Sequence, residues 1–307
     1  MRDRILATAQ RLGFRSNALA RRLRTKRSEA LTVVIAAEIG KAPKHPDFEA
    51  NNPGLMWQEV HGIMHEAARR NYEVKLMPQF FDDPLLTRHF YEHIGYPFSD
   101  GVILAGLGLA RQKAAARISE TGIPCLATVA YPEPLPLPLI AIDQTVGVQQ
   151  ALDALLAAGH RRIAFIAFSE DYATAATWRP RYGTFNMVLA KAGVLDQAVF
   201  LCAPSAIALR DALRRQPDPL PFTAAFCVND ALAEHVVRTL RERPERVTVV
   251  GFDDNPLHQH PGLPFSSIAL PLYDLGCRAV QRMIEHIEHP EVPLAGLELI
   301  PTKHVPR

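Results

Sequence analysis

The sequence predicts an α/β protein of two doubly wound parallel-sheet lobes with a cleft between them, preceded by a short basic helical head. Three observations predict this. From residue 31 onward, short apolar runs alternate with stretches whose apolar residues recur three and four apart, the pattern of strands covered on both faces by amphipathic helices. The runs are too numerous for one small sheet, and 307 residues exceed one average domain. Residues 1–30 carry nine Lys/Arg against Asp3 and Glu29.

The elements follow in order. Residues 2–13 read as an amphipathic helix closed by Gly13, and 17–25 as a second short helix that Asn17 can cap. Strands are predicted at 31–37, 73–77, 100–106, 123–129, 139–143, 162–168, 198–202, 223–228, 247–252, 266–270 and near 296–300. Helices are predicted between them at 54–71, 83–94, 111–121, 145–158, 181–192, 205–215, 230–242 and 272–288. The alternation breaks at YPEPLPLPL within 130–139 and around PGLPFS at 261–266. Proline disfavours helix and removes a ladder donor, so both segments are expected to pass from one sheet to the other. Ligands of such sheets bind beyond the carboxyl ends of the strands.

The charge is distributed unevenly. The head carries +7 within a chain of net +2, which leaves −5 for the body. A basic head on an acidic body suits a polyanion met at one end only. No apolar run approaches the roughly 18 residues that span a bilayer, and the first residues do not read as an export signal. A soluble cytoplasmic protein without membrane association is expected. Cys125, Cys202, Cys227 and Cys277 are far apart with no CxxC pairing, as for reduced buried thiols.

The string RILATAQRLGFRSNALARRLRTKRS resembles the end of the DNA-binding headpiece of LacI/GalR-type bacterial transcription regulators, including a hinge helix of the form NxxARxL. The resemblance continues through DGVILAG, IDQ, AAGHRRIAFI, RYGTF, CVNDALA and VTVVGFDD in the family's order. It implies a sensor of periplasmic-binding-protein type with three parts. These are a partial headpiece and hinge helix over 1–28, an N-terminal lobe over about 29–141 and 268–300, and a C-terminal lobe over about 142–267. It further implies a homodimer that binds operator DNA, a small effector that is a sugar or sugar derivative or else a nucleoside or purine, and no cofactor. In the family, hinge helices lie in the minor groove and a leucine wedges between base steps; Leu23 matches that position, the alternative being packing of a short helix. Asn17, Arg21, Arg22 and Arg24 would meet backbone and groove edges. The family's helix-turn-helix precedes these residues and is not in this sequence, so DNA control is expected of a longer parent. The other expectation is a solute-binding protein without DNA binding in this form.

The resemblance also implies effector-binding residues. Arg181 in RYGTF would be a forked donor to ligand hydroxyls or a carboxylate, or else an exposed arginine at a helix start. Asn229 would bind ligand or cap a helix, Asp230 would cap, and Asp253 would accept ligand hydroxyls or brace its loop. Trp57 and Trp178 would stack on a ligand face or pack internally. Asp143 is at least as well placed to cap a helix as to touch ligand. Thr184 stands where the family has glycine, and ATVAYP lacks a frequent family aspartate, which points away from the most ordinary hexose.

Enzyme chemistry finds little footing. GLGLAR at 106–111 lacks the third glycine of a dinucleotide turn. His61 and His65 lie four apart but without HExxH or a third metal ligand, and no GxSxG appears. A non-enzyme without bound metal is expected.

Overall fold

In the computed structural model, the described residues are 11, 22, 24–35, 53–78, 84–95, 97–105, 111–130, 134–168, 172–241, 243–262 and 264–307. The first lobe opens with β1 (Ala30–Ile35), α1 (Pro53–Arg69), β2 (Glu73–Pro78), α2 (Pro84–Glu92), β3 (Gly101–Ala105), α3 (Arg111–Ser119), β4 (Cys125–Val129) and β5 (Leu139–Asp143). The second follows with α4 (Gln144–Ala157), β6 (Ile163–Ala167), α5 (Tyr172–Lys191), β7 (Val199–Cys202), α6 (Ala206–Arg214), β8 (Ala224–Cys227), α7 (Asp230–Leu240), β9 (Thr248–Val250) and β10 (Ser267–Ala269). The chain then returns through α8 (Leu272–Glu288) and β11 (Leu297–Pro301) to the first lobe, and ends in β12 (Lys303–Val305).

The first sheet has the order β2-β1-β3-β4-β5-β11, all parallel. The second runs β7-β6-β8-β9, also parallel. Isolated parallel bridges Val250 to Ser266 and Asp253 to Ala269 add β10, which pairs antiparallel with β12. Both sheets therefore share one strand order, 2-1-3-4-5, whose switch point lies between the first and third strands.

Alternation within the strands places the core. Leu31, Val33, Ile35, Ile103, Ile140 and Ile142 join the cluster under α1 and α8, while Val34, Val102, Leu104, Leu139 and Ala141 join the cluster containing Phe90 of α2 and Ala114, Ala115 and Ile118 of α3. Strands buried on both faces need such near-continuous apolar runs. Helix α8 packs along α1. The approach is close because Gly62 lies against the Tyr273 carbonyl and Gly276 against that of Glu59; a Cβ added at either would sit 2.1 or 2.2 Å from those oxygens.

The lobes are joined at three places: from β5 into α4, from β10 into α8, and from β11 into β12. Thr302, buried at the last crossing, donates from Oγ1 to the Asp143 carbonyl (2.8 Å) and accepts from Gly147 N (2.9 Å). This corrects one expectation. The proline-rich stretch at 130–138 does not change sheets, because β4 and β5 are direct neighbours with Val129 opposite Ala141; proline rigidity reports an extended connection and says nothing of its destination. The stretch at 261–266 does not change lobes either: it joins β9 to β10, which are bridged side by side through Val250 to Ser266 and Asp253 to Ala269, and the crossing comes only after β10.

Two more differences concern elements. The helix expected from 181 starts at Tyr172 and carries Pro180 inside it; one missing N–H and a local clash are tolerated where flanking turns are held by packing. Strand β12 was not expected. Its three residues have no periodicity of their own and are strand only because β10 pairs with them.

Candidate effector cleft and linker

Three segments of the second lobe converge at the carboxyl ends of its strands. Helix α5 supplies Arg181, the turn after β8 supplies Asn229 and Asp230, and the turn after β9 supplies Asp253. Arg181 is only 8% exposed. Its Nε donates to Gln144 Oε1 (2.9 Å), Nη1 donates to the Val228 carbonyl, and the guanidinium carbon lies 3.6 Å from the Phe252 ring centroid. Burial pulls its pKa down to about 10, against the opposing charges of Asp253 and Asp230. Arg181 thus stays a cation at neutral pH, held over the Phe252 ring.

Asp253 is placed by unusual backbone. Both Asp253 (φ 105°) and Asp254 (φ 52°) occupy the left-handed half of conformational space, a conformation costing on the order of 1–3 kcal/mol where it is forced on a non-glycine residue. The turn is pinned by Asp253 N to the Ile268 carbonyl (2.9 Å) and Asp254 N to Ser267 Oγ (3.1 Å). Among the described residues no hydrogen bond reaches the Asp253 carboxylate and no ion pair joins it to Arg181. Its pKa is raised to about 7 by burial, with Arg181 pulling the other way.

Asp230 lies deeper and is braced. Oδ1 accepts from Ser267 Oγ (2.6 Å) and Oδ2 from Asn255 N (2.7 Å). Burial first, and then the charge of Asp253, lift its pKa to about 8. Gly251 is required beside it, since a Cβ there would meet Asp230 Oδ1 at 2.1 Å. Asn229 caps α7, its Oδ1 accepting from Leu232 N (2.9 Å). The capping role falls to Asn229 rather than Asp230, because in the extended conformation of Asn229 the amide oxygen reaches the N–H of Leu232, the third residue of the helix. Asp143 likewise caps α4, accepting from Thr145 N (2.9 Å).

The tryptophans part company. Trp178 is 7% exposed, its indole N–H donates to the Phe168 carbonyl (3.3 Å), and its ring packs on Phe165, Tyr182 and Phe200. Trp57 is 53% exposed on the second turn of α1. The structure brings Arg181, Asn229 and Asp253 together, commits Trp178 to the aromatic core beside them, and leaves Trp57 on the surface of the other lobe. The loops after β1 and β3 lie outside the described residues.

Sequence reasoning missed Gln144, Phe252, Asn255 and Ser267. Gln144 and Phe252 stand inside the motifs IDQ and VTVVGFDD, but their roles depend on contacts across elements.

Toward the head, Arg22, Arg24 and Thr25 are helical, while Asn17, Arg21 and Leu23 lie outside the described residues. Arg22 pairs with Glu73 at the start of β2 (2.6 Å), and Arg24 is exposed. The linker that follows is fastened to the first lobe. Ser28 N and Glu29 N donate to the two oxygens of Asp100 (2.7 and 2.8 Å), and Arg27 donates to the Ile287 carbonyl (2.8 Å).

The His61 and His65 rings lie 6.4 Å apart, and His65 Nδ1 sits 2.5 Å from Tyr273 Oη. No group of three metal-ligating side chains occurs among the described residues. No helix among them is long and apolar enough to cross a membrane.

The sequence model for the family described as periplasmic binding protein-like domain matches residues 152–307. The HTH-type transcriptional regulator CelR of Thermobifida fusca is 27% identical over 308 residues, covering 93% of this chain and 83% of that protein. Among solved structures, a regulatory protein of LacI family from Chloroflexus aggregans superposes with a TM-score of 0.71 at 21% identity, covering 91% of this chain and 98% of the other. A CelR–cellobiose complex superposes with a TM-score of 0.66 at 21% identity, covering 99% and 89%. These structural likenesses carry the fold, and the matched carboxyl-terminal half carries the family: the chain belongs to the periplasmic binding protein-like domain family, with LacI-type regulators among its relatives.

Proposed function

We propose that this chain is the sensor and hinge of a homodimeric, ligand-responsive transcription regulator, and that a neutral sugar-like effector binds at Arg181, Asn229 and Asp253. One observation carries the reading: among the described residues, a carboxylate on left-handed backbone has no donor and stands near a buried arginine with two of its five N–H donors engaged. A hydroxyl group can donate to Asp253 and accept from Arg181 at once. Cellobiose in the complex of the CelR relative is a ligand of that kind. Burial already penalises negative charge at Asp253 and Asp230, and a carboxylate ligand beside them would meet the same penalty, which disfavours sugar acids.

Ligand binding would shift the balance between two lobe arrangements, and the linker fastened at Asp100 and Ile287 would carry the change to the hinge residues Asn17, Arg21, Arg22, Leu23 and Arg24 and to operator DNA. Coupling of about 1–3 kcal/mol suffices for a 5- to 150-fold response. Trp57 is assigned to the rim of the opposite lobe and Trp178 to the support of Arg181 from behind.

The test is a thermal-shift screen over cellobiose, other sugars, sugar acids, nucleosides and purines. A neutral saccharide should raise the melting temperature, and Arg181→Ala should weaken its binding more than tenfold in calorimetry, on the order of the 1.5–3 kcal/mol carried by hydrogen bonds to a charged group. A purine as the sole stabiliser, or unchanged affinity in Arg181→Ala, would overturn the reading.

A further inference from the structure

We infer that Gln144 is a positioning residue that holds Arg181 in the cleft and ties it to the first lobe at Ala130. The inference rests on the reading of Arg181 as the effector anchor, and it names the route by which occupancy of that anchor reaches the other lobe.

Gln144 is the first residue of α4, at the crossing from β5 of the first lobe into the second. It is 2% exposed, an unusual place for an amide unless both of its ends are bonded. They are. Oε1 accepts from Arg181 Nε (2.9 Å) and Nε2 donates to the Ala130 carbonyl (2.7 Å). The orientation is fixed by chemistry, since a guanidinium only donates and a carbonyl only accepts. A flipped amide would set like against like at both ends.

Ala130 directly follows β4, so it moves with the first sheet. Arg181 sits on α5 and is bonded through Nη1 to the Val228 carbonyl, one residue before the cap of α7. A single chain of donors and acceptors thus runs from Ala130 through Gln144 and Arg181 to Val228, joining the two carboxyl-end edges across the crossing. The backbone at Gln144 is itself held, because Asp143 caps α4 and its carbonyl accepts from Thr302 N (3.0 Å) and Thr302 Oγ1 (2.8 Å). Any displacement of the guanidinium by a ligand must therefore be taken up in the Gln144 side chain and passed to the peptide at Ala130. No other side chain among the described residues bonds Arg181 and the first lobe together.

The experiment is hydrogen–deuterium exchange on the ligand-free chain, comparing peptides over 125–130 and 178–184 with a control peptide from α8. Gln144→Leu should speed exchange in both test peptides by about tenfold, the scale of losing hydrogen bonds to a charged group. Gln144→Glu keeps an acceptor for Arg181 but cannot donate to Ala130, so it should speed 125–130 and leave 178–184 protected. Arg181→Lys, made in the other lobe, should speed 125–130 with Gln144 present and add nothing in the Gln144→Leu background. A merely structural glutamine would not transmit that last change. Unchanged exchange over 125–130 in Arg181→Lys, or equal effects of Gln144→Glu on both peptides, would overturn the inference. Should Gln144→Leu fail to fold, the near-isosteric Gln144→Glu and Arg181→Lys decide alone. Because no ligand is present, failure here leaves the effector site standing, and failure of the saccharide screen leaves this chain of bonds standing.

Discussion

The two lobes share one strand order but stabilise themselves differently. Helices α1 and α8 of the first lobe are drawn together by Gly62 and Gly276, where backbone meets backbone. The second lobe fills its interior with rings: Phe165 contacts Trp178, Tyr182, Phe185, Phe200 and Phe226. The second lobe also carries the ionisable groups Arg181, Asp230 and Asp253 at its strand ends, whereas in the first lobe buried Glu59 accepts from Thr128 within the core and Glu66 pairs with Arg70 on the same helix. One topology thus supports a lobe built for close helix packing and a lobe built around a costly polar edge.

The largest break in this comparison should come at the ring cluster. Phe165→Ala removes the side chain at its centre and should cost about 3–5 kcal/mol, read by urea unfolding of the second lobe through Trp178 fluorescence. Next is the first lobe's contact: Gly62→Ala places a methyl 2.1 Å from the Tyr273 carbonyl and should cost about 1–3 kcal/mol by overpacking, read as a lower urea midpoint by far-ultraviolet circular dichroism.

The polar edge predicts a pH dependence. Asp230 and Asp253 have pKa values of about 8 and about 7 in the fold against 3.8 for the ordinary carboxyl group. The folded state binds more protons than the unfolded state between those values. Their contribution to stability is therefore full below about pH 4 and is lost as pH rises toward 7 and 8. Asp230→Asn should flatten the decline in melting temperature from pH 5 to pH 8; an unchanged slope would place the loss elsewhere. The smallest effect has the opposite sign. Gly183, on α5 of the second lobe, has nothing within 4 Å of an added Cβ, so Gly183→Ala should stabilise by about 0.4–1 kcal/mol, where the same change at Gly62 destabilises.

Much of the fold was legible because both signals that specify it are local. Apolar runs of strand length and three-and-four spacing recur in order, and β1 through β11 lie where those runs lie. The head's charge and its hinge pattern were legible for the same reason, although Asn17, Arg21 and Leu23 fall outside the described residues. In the cleft, Arg181, Asn229 and Asp253 were found through motifs. Their choices between competing roles were not: the extended backbone at Asn229 gave its amide oxygen to the helix cap, and ring packing drew Trp178 inward.

By itself, then, the sequence determined the alternation of elements, the basic head and the candidate charges, since each is written in neighbouring residues. Tertiary structure decided that neither proline segment carries the chain from one lobe to the other, that Lys303–Val305 becomes a strand, and that Gln144 rather than a better-advertised residue joins Arg181 to the opposite lobe. Those outcomes depend on which donor meets which acceptor across 14 residues in one direction and 37 in the other, and no local pattern records such a meeting.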